Sequence, residues 1–227
     1  MKKLITSILI ILLLWLTYIA ASWGIADLFV NLARYNMQSW EKQGNINNWS
    51  KTHSLLKRAL SLTPNNPTYL EDMAQAYYLL VRLGGITQRE KKQILENALE
   101  TLKQSAKIRP TGIYTWANIA LIKSLLQQYD ELFLVAIENA SLFGPWEPFA
   151  QRVITSIGLK AWYRLPVSEQ QKVRLIILAT IERGMSIQAE KITSLIKHYR
   201  KEYVICFLRG HKPALTNFCM TFLKKKK

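Results

Sequence analysis

Acid–base and nucleophilic chemistry need a titratable side chain held against an orienting partner, and few residues of this 227-residue chain have that spacing. Aspartate occurs only at Asp27, Asp72 and Asp130. Glu71 and Asp72 are adjacent acids, but neighbours on a helix point about 100° apart and cannot face each other across a substrate. They are read as favouring the start of their helix. His53 lies among apolar positions of a helical run, and His198 sits beside Lys197, Tyr199 and Arg200. Neither has a nucleophile or an acid spaced to orient it, so both are read as structural. The phosphate-cradling GxxxxGK[ST], dinucleotide GxGxxG, zinc-protease HExxH and hydrolase GxSxG patterns do not occur. The expectation is a chain that is not an enzyme, with no catalytic residues, no cofactor and no small-molecule substrate.

The two cysteines, Cys206 and Cys219, leave two readings open. In an oxidising compartment they pair and staple the last segment; in a reducing one they are small apolar residues. No CxxC spacing occurs, and two thiols with three scattered histidines do not make the spaced ligand pairs of a zinc site. No metal is expected. The charge is lopsided, with 31 Lys and Arg against 15 Asp and Glu for a formal net charge of +16. Such a field attracts polyanions, from nucleic acid to phospholipid headgroups. The basic residues spread along the whole chain without a base-reading module, so no nucleic-acid partner is expected. The final KKKK is read as a solvated terminus, with an anionic surface as the sharper alternative.

The elements that position these residues are helices. Residues 4–26 are uncharged around ILIILLLWLTYIAA, preceded by Lys2 and Lys3 and carrying Trp15, Tyr18 and Trp23. About 20 apolar residues cross a bilayer as a helix, and such aromatics settle at interfaces. The competing reading is a cleaved leader, with Ala20, Ala21 and Ser22 offering small residues for a peptidase. The run is long for a leader and continues through Ile25, Leu28 and Leu32 without a polar break, so residues 1–26 are read as an uncleaved anchor. Lys2, Lys3 and the amino terminus flank the run on one side and Arg34 and Lys42 on the other; the reading is an N-terminus inside, with the long following domain crossing largely regardless of its charge. The expected location is a single-pass inner-membrane protein with a periplasmic helical domain.

Downstream, apolar residues recur at helical spacing between proline-bearing turns. Trp49, His53, Leu56, Ala59 and Leu60 form one stripe, ended by TPNNP; Leu70, Met73, Ala74 and Tyr77 form the next, ended by Gly84 and Gly85. After Thr87 a longer helix is expected to residue 108, with Ile94, Leu95, Ala98, Leu99 and Leu102 inward. Residues 109–148 then read as a helical hairpin. Its first stripe is Trp116, Ile119, Ala120 and Ile122; its second is Leu132, Phe133, Ala136, Ile137 and Ala140. LKRALSLTP, LKQSAKIRP and AIENASLFGP align as three repeat ends whose prolines are spaced by 46 and 35 residues. Beyond Gly158 the repeat fades. Helices over 168–183 and 186–200 are expected after Leu165 and Pro166, with Ser168 and Ser186 as caps and Gly184 as a stop.

These hairpins resemble the tetratricopeptide repeat (TPR) family, whose period is about 34 residues. Leu70, Met73, Ala74 and Tyr77 fit its first-helix pattern, and Ala98, Leu102 and Ser105 its second. Trp116, Ile119 and Ala120 fit three first-helix positions, with Lys123 where an aromatic should be and Phe133 where a small residue should be. The long first spacing implies about twelve extra residues around Gly84 to Arg89 on that period. The resemblance implies an all-α fold: an N-terminal transmembrane helix (1–26), a right-handed TPR-like solenoid of helical hairpins (27–157), and a C-terminal helical cap with a basic tail (158–227). It places Trp116 in the core, Trp146 of GPWEP over the core, and Tyr114, Asn118 and Lys123 off the stripe, as a candidate partner-binding groove.

RP-x4-TWAN-x-AL at 109–121 and the later GPWEP at 144–148 are similar to VpsP-type proteins of polysaccharide-biosynthesis and exosortase-associated gene clusters. That resemblance implies a non-catalytic envelope scaffold whose partners are polysaccharide-assembly proteins. A scaffold of another envelope machine, for secretion or cytochrome assembly, would share the fold and differ in partners.

Overall fold

The computed structural model describes residues 2–165, 167–208 and 213–224. Among the described residues there are ten α-helices, one short 3-10 turn and no strand. Pro166 and residues 225–227 of the lysine tail lie outside them. Packing divides the chain into two compact units, Met1–Ile108 and Arg109–Lys227.

The first unit opens with α1 (Lys2–Gln43), a single 42-residue helix. At 1.5 Å per residue it is about 63 Å long. Its sequence changes character once. Up to Ile25 its large apolar side chains are exposed, and from there Ala26, Val30, Ala33, Met37 and Trp40 are buried at steps of four and three residues. That spacing is one stripe of a 3.6-residue helix, and it packs on α2 (Trp49–Leu62) and α3 (Pro67–Leu83). Leu55, Leu56 and Ala59 of α2 and Tyr69, Met73, Ala76 and Leu79 of α3 complete this core. The helix ends where the indole of Trp40 donates to the Asn47 carbonyl and Gly44 takes a left-handed φ of 69°.

TPNNP works as expected: Asn66 caps α3 by accepting from Thr68 N and Tyr69 N, and Pro67 occupies the first turn, where its missing N–H costs nothing. The next helix, α4 (Gln88–Ile108), starts with a reciprocal capping box. Glu90 Oε2 accepts from Thr87 N and Oγ1, while Glu90 N donates back to Thr87 Oγ1. Ala98, Leu102 and Ser105 are buried against α3, and Ser105 Oγ donates to the Pro67 carbonyl at 3.1 Å. The extra residues expected around Gly84 to Arg89 are not a loop there. α3 and α4 are together twelve residues longer than α5 (Ile113–Leu125) and α6 (Glu131–Phe143), so the insertion lengthens the hairpin itself.

In the second unit α5 packs on α6 and on α7 (Pro148–Ala161), and α8 (Gln170–His198) lies across α6 and α7. Phe133, Ala136, Ile137 and Ala140 are buried as the periodicity predicts, with Ile119, Ala120 and Ile122 facing them from α5. Gly158 lets α7 approach α8: a Cβ there would lie 2.6 Å from Ile177. The helix stop expected at Gly184 is not present. Ser186 is no cap either, because its hydroxyl donates to the Glu182 carbonyl within a continuing helix. α8 breaks instead at Gln188, whose φ of −142° and ψ of 49° are non-helical. Ser168 lies in the 3-10 turn Val167–Glu169, before α8 rather than at its cap. α9 (Glu202–Leu208) and α10 (Pro213–Lys224) close the unit, joined by a Cys206–Cys219 disulfide with Cα atoms 5.4 Å apart.

Candidate interaction surface

Tyr114 and Asn118 lie one turn apart on α5. Tyr114 is 46% exposed and Asn118 half-buried, with Leu121 and Leu125 continuing the same half-open line. Lys123 does not join them. Five residues beyond Asn118 and nine beyond Tyr114, it points about 140° and 180° away from them on a 3.6-residue helix. It is buried, at 4% exposure, and its ammonium donates to Gln128 Oε1 at 2.6 Å and pairs with the Asp130 carboxylate. Asp130 in turn caps α6 by accepting from Phe133 N. Lys123 is therefore an internal tie between α5 and the start of α6, which corrects its placement on the groove.

The face that Tyr114 begins is continued by α7 and α8. The Tyr114 ring tilts against Phe149 at a centroid distance of 5.5 Å. Arg152 Nη1 donates to Gln188 Oε1 at 2.8 Å, and the amide of Gln188 donates to the Pro148 carbonyl and to Gln151 Oε1. Ser156 and the Tyr199 hydroxyl share a hydrogen bond of 2.9 Å. The α8 kink is thus fixed by side-chain bonds to α7, and it leaves Arg152 and Ser156 half-exposed. The face carries an aromatic edge followed by amide, guanidinium and hydroxyl groups that are hydrogen-bonded to one another. Phe149, Arg152 and Ser156 lie along α7 at steps of three and four residues, and sequence reading did not single them out because what they face is the α8 kink, which has no proline or glycine at the break.

The expected indole positions are also corrected. Trp116 is half-buried, its Nε1 donating to the Pro110 carbonyl at 2.6 Å, so it braces the turn before its own helix. Trp146 is 60% exposed and does not cover the core. In GPWEP the turn is fixed by Gly144, which sits against Ile113, and by Glu147, which caps α7.

A second polar cluster lies in the first unit, where α1 becomes amphipathic. Arg34 forms a two-pronged pair with Asp72 at 2.7 and 3.1 Å, which raises the guanidinium above its ordinary value. Burial lifts the Asp72 carboxyl despite that pair. The Tyr69 hydroxyl donates to Asp27, and burial together with that bond pushes it up to about 12. A cavity of about 530 Å³ opens beside them, lined by Trp23, Asp27, Thr63, Asn65 and Tyr69. Asp27 and Asp72 are both hydrogen-bonded across the two helices, so the cluster ties α1 to α3. His53 is similarly engaged, stacked on Trp49 and bonded through Nε2 to the Tyr77 hydroxyl at 3.1 Å.

Neither a protein-family model nor a curated protein matches the chain. Solved structures do. A thermophilic TPR protein of Thermus thermophilus aligns over 79% of this chain and 81% of its own, at 17% identity and a TM-score of 0.57. The fold is TPR-like. At that identity the likeness speaks for the arrangement of helices alone, and it agrees with the hairpin packing of both units.

Proposed function

We propose that the protein is a membrane-anchored, non-catalytic TPR-like scaffold that assists biosynthesis or export of a bacterial surface polysaccharide by binding proteins of that machinery. The observation that carries this reading is α1. It is the one helix among the described residues long and apolar enough to cross a membrane, and a signal sequence would pass the same test. The same helix supplies five buried residues to the first unit's core. Removing it as a leader would cut a helix that continues unbroken into that core, which favours an anchor over 1–26. Repeats over 27–157 then present the Tyr114 and Asn118 face to partners, and 158–227 caps them.

A TPR-like hairpin stack supports a binding role because such stacks present extended surfaces to other chains. The bonded Cys206–Cys219 pair supports an oxidising compartment, hence an N-terminus inside and a periplasmic domain. The polysaccharide assignment rests on the likeness of TWAN and GPWEP to VpsP-type proteins. Deleting the gene is expected to lower cell-surface polysaccharide while leaving protein secretion and cytochrome content unchanged. Normal polymer with defective secretion or cytochromes would overturn that assignment.

A further inference from the structure

The last 31 residues, from Lys197 on, contain nine Lys and Arg and one Glu, a net +8 that is half of the whole chain's +16. The other half is spread over 196 residues. This charge accompanies apolar side chains that face solvent. On α9, Tyr203 and Phe207 lie one turn apart and Leu208 follows, with Phe207 79% exposed. On α10, Met220 and Leu223 lie one turn apart and are also exposed. Ile205, Leu215 and Cys219 point inward, so these exposed residues are the outer faces of helices that are already packed. The disulfide holds the two helices together as one element. Lys197 and Arg200 flank α9 on its N-terminal side, and Lys224, the last residue of α10, opens the KKKK run.

Exposed aromatic and aliphatic side chains bordered by clustered lysines are the chemistry of an interfacial helix on an anionic bilayer. An acidic protein would satisfy the lysines and leave the apolar faces wet. A second copy would bury the apolar faces while bringing like charges together. We infer that the α9–α10 element is a second membrane contact, which docks on anionic phospholipid with its apolar faces in the headgroup boundary and its lysines on the phosphates. This holds whether or not residues 1–26 are retained, and it goes beyond the scaffold reading. Where the anchor is retained, the bilayer is present at high effective concentration and weak contacts suffice.

The test uses the full chain in nanodiscs, with an environment-sensitive fluorophore attached through an unnatural amino acid at Met220 and, as a reference, at Glu131. With phosphatidylglycerol in the disc, the Met220 probe is expected to shift to the blue and to be quenched by lipid-borne spin labels, while the Glu131 probe is not. High salt, or replacing residues 224–227 with glutamine, should weaken the quenching by about tenfold or more, as the loss of four positive charges implies. F207S should weaken it without affecting the fold, because that side chain is exposed. Equal spectra with and without phosphatidylglycerol would overturn the inference. A blue shift that grows with protein concentration in lipid-free detergent would replace it with self-association.

Discussion

Lys123 shows how far a single side chain's role depends on its neighbours. Its ammonium is buried but tied to Asp130, which is half-exposed and also caps α6. D130A removes a cap and strands a buried cation, and is expected to cost the second unit about 2 kcal/mol in urea unfolding. K123M keeps the side-chain volume and removes the charge with its need for a partner, so it should cost less than half of that. Equal losses would show that the pair, rather than the stranded charge, sets the energy. The position was not legible in the sequence because a repeat pattern marks Lys123 only as a departure, although its angle from Asn118 already excludes a shared face. His53 makes a pH prediction. Burial and Lys57 hold its imidazole below its ordinary 6.5, so as pH falls the unfolded chain takes up the proton first. Its stabilising effect is complete above about 6.5 and is lost as pH falls through the folded value. The urea midpoint of the first unit should therefore fall between pH 7.5 and 5.5 more steeply in wild type than in H53Q. Parallel slopes would remove His53 as the cause.

At the level of elements, α1 joins two halves of different character in one helix. Its first half is apolar on every side and has no register, whereas its second half has one buried stripe. Inserting an alanine after Gly24, where an added Cβ would meet nothing within 4 Å beyond its own helix turn, should leave thermal unfolding of the first unit unchanged. Inserting one after Ala33 rotates Met37 and Trp40 by about 100° out of the core and should cost about 3 kcal/mol or more. Equal tolerance of both insertions would mean that the stripe does not hold the helix. Between α7 and α8 the contact is set by size. G158A is expected to cost about 1–3 kcal/mol by driving a methyl into Ile177, with partial recovery in the G158A/I177V pair. The hairpins were legible because proline, asparagine and glycine punctuate them and because two-sided periodicity separates α5 from α6. The break at Gln188 was not, since Gly184 is the stronger local stop signal and is overridden by packing: its missing side chain makes room for Ile192. The length of α3 and α4 was equally hidden, because a spacing counts residues without saying whether they are helical.

For the molecule as a whole, the fold is TPR-like, and one apolar helix, exposed for most of its first 25 residues, is long enough to cross a membrane or to serve as a signal sequence. Charge adds direction without chemistry, since its densest part lies in the last helices rather than along Tyr114 and Asn118. The fold could be read from the sequence at this scale, whereas the surface proposed for partners could be read only in part: Tyr114 and Asn118 share a line, and the residues that extend it come from α7 and the kinked α8. The claim that this line binds envelope proteins is tested most directly by photo-crosslinking in native membranes from a reactive residue at Asn118, with products identified by mass spectrometry. The account predicts capture of a glycosyltransferase, polymerase or export protein, lost when Tyr114 and Arg152 are replaced with alanine in a chain that still unfolds cooperatively. Capture of another envelope machine would retain the fold and contradict the polysaccharide role, and a crosslinking pattern unaltered by those replacements would contradict the surface itself.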